Sequence, residues 1–125
     1  MGWPEFLGNL SYLEKRDKPY ILLIDDDVQI LESIGDFLED KGFQVYKASD
    51  GTAGLQSYYS NNPDLVITDL KMPGISGLEV MEKIREHHLE TEIIILTGHG
   101  DLNDAVQALR FHAFDFLLKP VDFKP

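Results

Sequence analysis

Three consecutive aspartates, Asp25-Asp26-Asp27, terminate the apolar run Ile21-Leu22-Leu23-Ile24, and Asp69 closes a second apolar block, Leu65-Val66-Ile67. Carboxylates gathered in one place repel. Two unit charges about 4 Å apart interact by around 4 kcal/mol at an effective dielectric of 20. Such a group either takes up protons or recruits a cation. A hard divalent ion is the natural counterion, and Mg²⁺ typically takes one or two carboxylates and keeps several waters. The plainer use of aspartates at this kind of junction is to cap the helix that follows. Capping accounts for Asp27, yet it leaves unexplained why two strongly apolar runs both end in Asp. Thr97 and Lys119 end two further apolar runs, Ile93-Ile94-Ile95-Leu96 and Phe116-Leu117-Leu118. A hydroxyl and an ammonium beside a carboxylate-bound divalent ion suit the oxygens of a phosphoryl group. Singly, each is an ordinary strand-end residue; only their standing together has chemical meaning.

These residues converge only if the apolar runs are neighbouring strands. Between the runs lie amphipathic stretches. Leu31, Ile34 and Leu38 follow helical spacing, with Gly42 as a stop. Asp50 to Ser60 is a weaker helix carrying Leu55 and Tyr58. Ser76-Gly77-Leu78-Glu79 has the form of a capping box ahead of the stripe Leu78, Met81 and Ile84. Asp101 to Arg110 puts Leu102, Ala105, Val106 and Leu109 on one face, and Phe43-Gln44-Val45-Tyr46 supplies the remaining strand. Apolar runs without alternation indicate strands covered on both faces. Five strands alternating with helices give an α/β doubly wound fold with a parallel sheet. Sites in such sheets form where the carboxyl ends of the strands open at a switch in strand order. Asp25, Asp26, Asp27, Asp69, Thr97 and Lys119 all belong to that edge.

Composition narrows the function classes. The 125 residues carry 22 Asp+Glu against 11 Lys+Arg, a formal net charge of −11. Phosphate backbones require a basic surface, so direct nucleic-acid binding is not expected. There is no Cys, hence no disulfide framework, thiol nucleophile or thiolate metal site. No apolar run approaches the roughly 20 residues of a membrane span, and the N-terminus has no secretory pattern. The chain reads as cytoplasmic. Residues 1–18 stand apart as an N-terminal amphipathic helix and linker: Trp3, Phe6, Leu7, Leu10 and Leu13 follow helical spacing, and Lys15-Arg16-Asp17-Lys18-Pro19 is polar. Residues 19–125 form one domain.

In this order, Ile21 to Asp27, Asp64-Leu65-Val66-Ile67-Thr68-Asp69-Leu70-Lys71-Met72-Pro73-Gly74, Ile95-Leu96-Thr97-Gly98 and Phe114-Asp115-Phe116-Leu117-Leu118-Lys119-Pro120 resemble the receiver domain of two-component response regulators. The resemblance covers Tyr20 to about Val121. It implies a flavodoxin-like (CheY-like) five-stranded sheet of order 2-1-3-4-5, and makes Asp69 the phosphoacceptor for a histidine kinase or phosphotransfer protein. Asp26 and Asp69 would ligate Mg²⁺ directly, Asp25 through water, and Lys71 through its backbone carbonyl. Thr97 and Phe116 fall at the switch positions, and Lys119 at the phosphate-binding lysine. Phosphorylation would draw Thr97 toward the acyl phosphate and let Phe116 rotate into the space left, with Gly98 and Gly100 around His99 giving the loop freedom to yield. The implied role is signalling: the domain catalyses only its own phosphorylation and dephosphorylation, with a possible homodimer and an output domain or protein outside this chain. Parts of the sequence further resemble receivers of nitrogen-regulation-type transcription activators.

One element departs from that pattern. A receiver normally finishes with a helix after Lys-Pro, and here this last helix is missing or truncated, since the sequence given stops soon after Lys119. Apolar sheet surface beside the first helix would lie bare. The Trp3–Leu13 segment is a candidate cover, on its own sheet or on a second copy's; the plainer alternative is a chain cut before that helix. Rival functions fit less well. A dehalogenase-like phosphatase needs Asp-x-Asp, and Asp69-Leu70-Lys71 lacks the second Asp. A flavin carrier needs a Ser/Thr/Gly phosphate loop where three carboxylates stand. A phosphorylation-independent module would have lost the Asp, Thr or Lys. His87, His88, His99 and His112 show no ligand spacing and read as ordinary surface or helix-end residues.

Overall fold

The computed structural model describes residue 8 and residues 19–98, 102–110 and 115–118. Along the chain come β1 (Tyr20–Ile24), α1 (Val28–Asp40), β2 (Gln44–Ala48), α2 (Gly51–Asn61), β3 (Leu65–Asp69), α3 (Gly77–Arg85), β4 (Glu92–Thr97), α4 (Leu102–Arg110) and β5 (Asp115–Leu118). The strands are parallel and ordered β2-β1-β3-β4-β5. The switch in order therefore falls between β1 and β3, the strands that carry the aspartates. Crossovers between parallel strands are right-handed. The step from β1 to β2 runs one way along the sheet and puts α1 on one face. The later steps all run the other way and put α2, α3 and α4 on the opposite face.

The core follows this division. On the α1 face, Ile21, Leu23, Leu65, Ile67, Ile94, Leu96 and Leu117 pack with Leu31, Ile34, Leu38 and Phe43. On the other, Leu22, Ile24, Val66, Ile93 and Ile95 pack with Tyr58, Val80, Met81 and Ile84. Successive strand residues point to opposite faces, and both sets are buried, which is why the runs are apolar without alternation.

The helix ends are chemically specified. The Asp27 carboxylate caps α1 by accepting from the N–H groups of Gln29 and Ile30 at 2.9 and 3.4 Å. Asp50 caps α2 through Ala53 N–H, and Ser76 caps α3 through Glu79 N–H. At the end of α1, Gly42 has φ +98° while its N–H reaches Glu39 O and Phe43 N–H reaches Leu38 O. This is a Schellman motif, in which a non-glycine residue at the left-handed position would be strained.

One expectation shifts. The second strand begins at Gln44 rather than Phe43 and runs on to Ala48, because Phe43 is held by the helix terminus and turned into the core against Leu38. Val106, which spacing puts on one face of the fourth helix with Leu102, Ala105 and Leu109, is 46% exposed. The expected N-terminal helix and linker over residues 1–18, Gly8 aside, and residues 119–125, where the last helix is expected to be missing or truncated, lie outside the described residues. Among the described residues no helix is long and apolar enough to cross a membrane.

Candidate functional site

The β1–α1 and β3–α3 junctions build the acidic edge. Asp25 follows the last residue of β1, and its N–H extends the ladder to Ala48 O at 3.1 Å. Its side chain is fully buried, and Oδ1 accepts the Asp27 N–H at 2.9 Å. Asp26 is exposed. Asp69 is the last residue of β3, 8% exposed, and its Oδ1 accepts the Leu70 N–H at 2.8 Å. One carboxylate oxygen from each of Asp25, Asp26 and Asp69 lies within 4.8 Å of the others. Two of these carboxylates are held by backbone donors and the third faces solvent. The set is all hard oxygen, with an open side where waters can complete a coordination shell, so the donors fit a small divalent cation.

The flanks of the edge are equally defined. Leu70 N–H continues the sheet to Leu96 O at 3.1 Å, and Leu70 O receives the Gly77 N–H at 2.8 Å. The start of α3 is thereby folded under the Asp69 backbone. Thr97, the last residue of β4, is buried and its hydroxyl donates to Gly98 O at 3.2 Å. Lys71 reaches away along the surface, its Nζ 3.4 Å from Asp104 Oδ2 on α4.

The family model for the response regulator receiver domain matches residues 21–125. This chain belongs to that family. The receiver domain resembles the transcriptional regulatory protein FixJ of Azorhizobium caulinodans at 38% identity over 100 residues, 80% of this chain and 47% of FixJ. It resembles the transcriptional regulatory protein GlrR of Escherichia coli K12 at 39% identity over 103 residues, 82% of this chain and 23% of GlrR. The chain thus spans under half the length of either regulator. A receiver domain protein from Clostridium thermocellum has the same fold, with a TM-score of 0.80 at 43% identity over 83% of this chain and 84% of that one.

Within the receiver, the structure brings Asp25, Asp26 and Asp69 together and puts Thr97 on the next strand, beyond the Asp69↔Leu96 pair. Phe116 occupies the β5 position paired with Ile95. Lys119, expected to bind phosphate, lies outside the described residues, as do His99 and His112. His88 packs edge-on against the Tyr58 ring at 5.5 Å between centroids. The residue that sequence reasoning missed is Gly77. A Cβ there would run into the Asp69 carbonyl and stand 3.0 Å from Leu70 Cα. Its signal, Gly at the first position after a Ser cap, had served only to start a helix.

Proposed function

We propose that this receiver accepts a phosphoryl group on Asp69 from the phosphohistidine of a histidine kinase or phosphotransfer protein. The observation that carries the reading is the meeting of three carboxylate oxygens from two adjacent strand ends within 4.8 Å. An Asp69 oxygen attacks phosphorus in line; the new P–O bond forms as the P–N bond breaks, and the departing imidazole takes up a proton. Asp26 and Asp69 directly, Asp25 through water and the Lys71 carbonyl would hold Mg²⁺, which when bound neutralises charge on the phosphoryl oxygens. Lys119, directly after Leu118, supplies a second cation. The backbone N–H of Leu70 keeps the Asp69 carboxylate oriented for attack.

The acyl phosphate replaces one negative charge by roughly 1.5 to 2. Thr97 then leaves the Gly98 carbonyl for the stronger phosphoryl acceptor. An output partner reads the altered β4–α4–β5 surface, with Phe116 on β5 as the switch aromatic that the resemblance implies. Asp69→Asn is expected to abolish incorporation of phosphate from acetyl phosphate in the presence of Mg²⁺ while leaving the circular dichroism spectrum intact. Phosphate incorporation retained by a folded Asp69→Asn chain overturns the assignment.

A further inference from the structure

Lys71 belongs to the acidic edge by its backbone and to α4 by its side chain. Its carbonyl, two residues after Asp69, is the proposed Mg²⁺ ligand, while its Nζ stands 3.4 Å from Asp104 Oδ2. Asp104 lies in the first turn of α4, where the helix dipole favours a carboxylate. The ion pair therefore joins the loop that follows Asp69 to the start of a helix more than 30 residues further along the chain. That helix is lightly held. Its principal packing is on β4 and β5, and its Val106 is 46% exposed. Elements with few buried apolar contacts move at low cost, so a modest tie is enough to bias where α4 rests. The tie also sits at the end nearest the switch: Asp104 follows Thr97 by seven residues. The Thr97 hydroxyl donates to Gly98 O, so the ion pair is present in the arrangement that precedes phosphorylation.

We propose that the Lys71–Asp104 ion pair is a latch that holds the start of α4 in its unphosphorylated position and opens when Asp69 carries a phosphoryl group. The latch rests on Asp69 being the phosphoacceptor. Its physical basis is competition between two anions for one ammonium. Before phosphorylation Asp104 holds the ammonium. The acyl phosphate then replaces one negative charge at residue 69 by roughly 1.5 to 2. The flexible four-carbon stem of lysine lets its ammonium respond to that charge, and each departure from Asp104 frees the first turn of α4. Thr97, drawn toward the phosphoryl group, pulls on the chain leading to the same turn. Coupling between two sites is reciprocal. If phosphorylation opens the latch, removing the latch makes the phosphorylated arrangement easier to reach. The side chains are 64% and 43% exposed, and ion pairs so exposed are weak. The latch accordingly tunes the switch a few-fold and leaves Thr97 as its main lever.

The full chain, in two measurements, separates the latch from the phosphoacceptor. With no phosphodonor present, Asp104→Asn and Lys71→Met are each expected to speed amide hydrogen exchange in residues 102–110 about two- to fivefold, the range exposed ion pairs support. Combined, they are expected to give less than the product of their separate effects, and Lys71→Arg is expected to keep the parent's protection. In about 1 M NaCl, where the Debye length is about 3 Å, parent and variants are expected to converge. With Mg²⁺ and beryllofluoride, which stands in for the phosphoryl group on Asp69, Asp104→Asn is expected to bind the analogue about two- to fivefold more tightly than the parent. In the Lys71→Met background that advantage is expected to disappear. Exchange that is unchanged, or effects that simply multiply, overturn the latch whether or not Asp69 takes the analogue. Equal affinity of the parent and Asp104→Asn for beryllofluoride overturns its release by phosphorylation. A parent that takes no beryllofluoride, with the exchange results as expected, overturns instead the phosphoacceptor reading and reduces the pair to a static tie.

Discussion

Three adjacent aspartates at the acidic edge do three different jobs. Asp25 is buried and braces the turn through Asp27 N–H, Asp26 stays in solvent, and Asp27 spends its carboxylate on the first turn of α1. Their geometry holds only if the Asp69 backbone stays where it is, and Gly77 fixes that. Because a Cβ at 77 meets backbone rather than a yielding side chain, the β3–α3 loop itself has to move to admit one. Gly77→Ala is expected to destabilise the chain by about 1–3 kcal/mol and to slow phosphorylation by acetyl phosphate. Ser76→Ala, which removes only the cap of the same helix, is expected to cost about 1 kcal/mol with the phosphorylation rate kept. Urea midpoints and single-turnover rates for both variants check this; equal rates in the two would mean that the Asp69 backbone tolerates displacement.

Among the elements, what could be read in advance was what local chemistry dictates. The aspartates at strand ends, the Asp27 and Ser76 caps and the Leu31–Ile34–Leu38 stripe each follow from spacing alone. Phe43 was misplaced because a Schellman turn draws it into the helix end, a matter of backbone geometry that an apolar pattern does not reveal. Gly77 escaped because its role needs two segments to meet. Tyr58 shows a further long-range tie, at the amino ends of the strands: its hydroxyl lies 2.6 Å from Thr91 Oγ1, joining α2 to the start of β4. Burial raises the Tyr58 pKa above its ordinary 10.0; the Thr91 hydrogen bond opposes this, and nearby Glu90 adds to it. The folded chain therefore holds this proton more tightly than the unfolded one. The contribution is fully present below about pH 10 and is lost as pH rises through the folded value. Tyr58→Phe is expected to cost about 1 kcal/mol at neutral pH, and the gap to the parent is expected to narrow above pH 10. Urea melts of both proteins from pH 7 to 11 measure it; a gap constant across that range would detach the buried hydroxyl from alkaline stability.

For the molecule as a whole, the excess of acid couples the site to stability. A net charge of −11 repels itself everywhere, and salt relieves that repulsion over a Debye length of about 8 Å at physiological strength. The acidic edge concentrates the same repulsion at one place, where two of its three carboxylates are already out of water. General screening and specific cation binding should therefore separate cleanly. Raising NaCl is expected to raise the melting midpoint of the parent and of Asp26→Asn alike. Mg²⁺ added at constant ionic strength is expected to raise it further in the parent, by the equivalent of about 2.7 kcal/mol once free Mg²⁺ reaches about 100 times Kd. In Asp26→Asn that second increment should be largely lost, because a carboxylate facing the open side of the cluster has gone while most of the surface charge remains. Calorimetric scans over both titrations decide it. An equal Mg²⁺ increment in the two proteins would assign the ion to the diffuse negative field of the surface and not to the edge where β1 and β3 end.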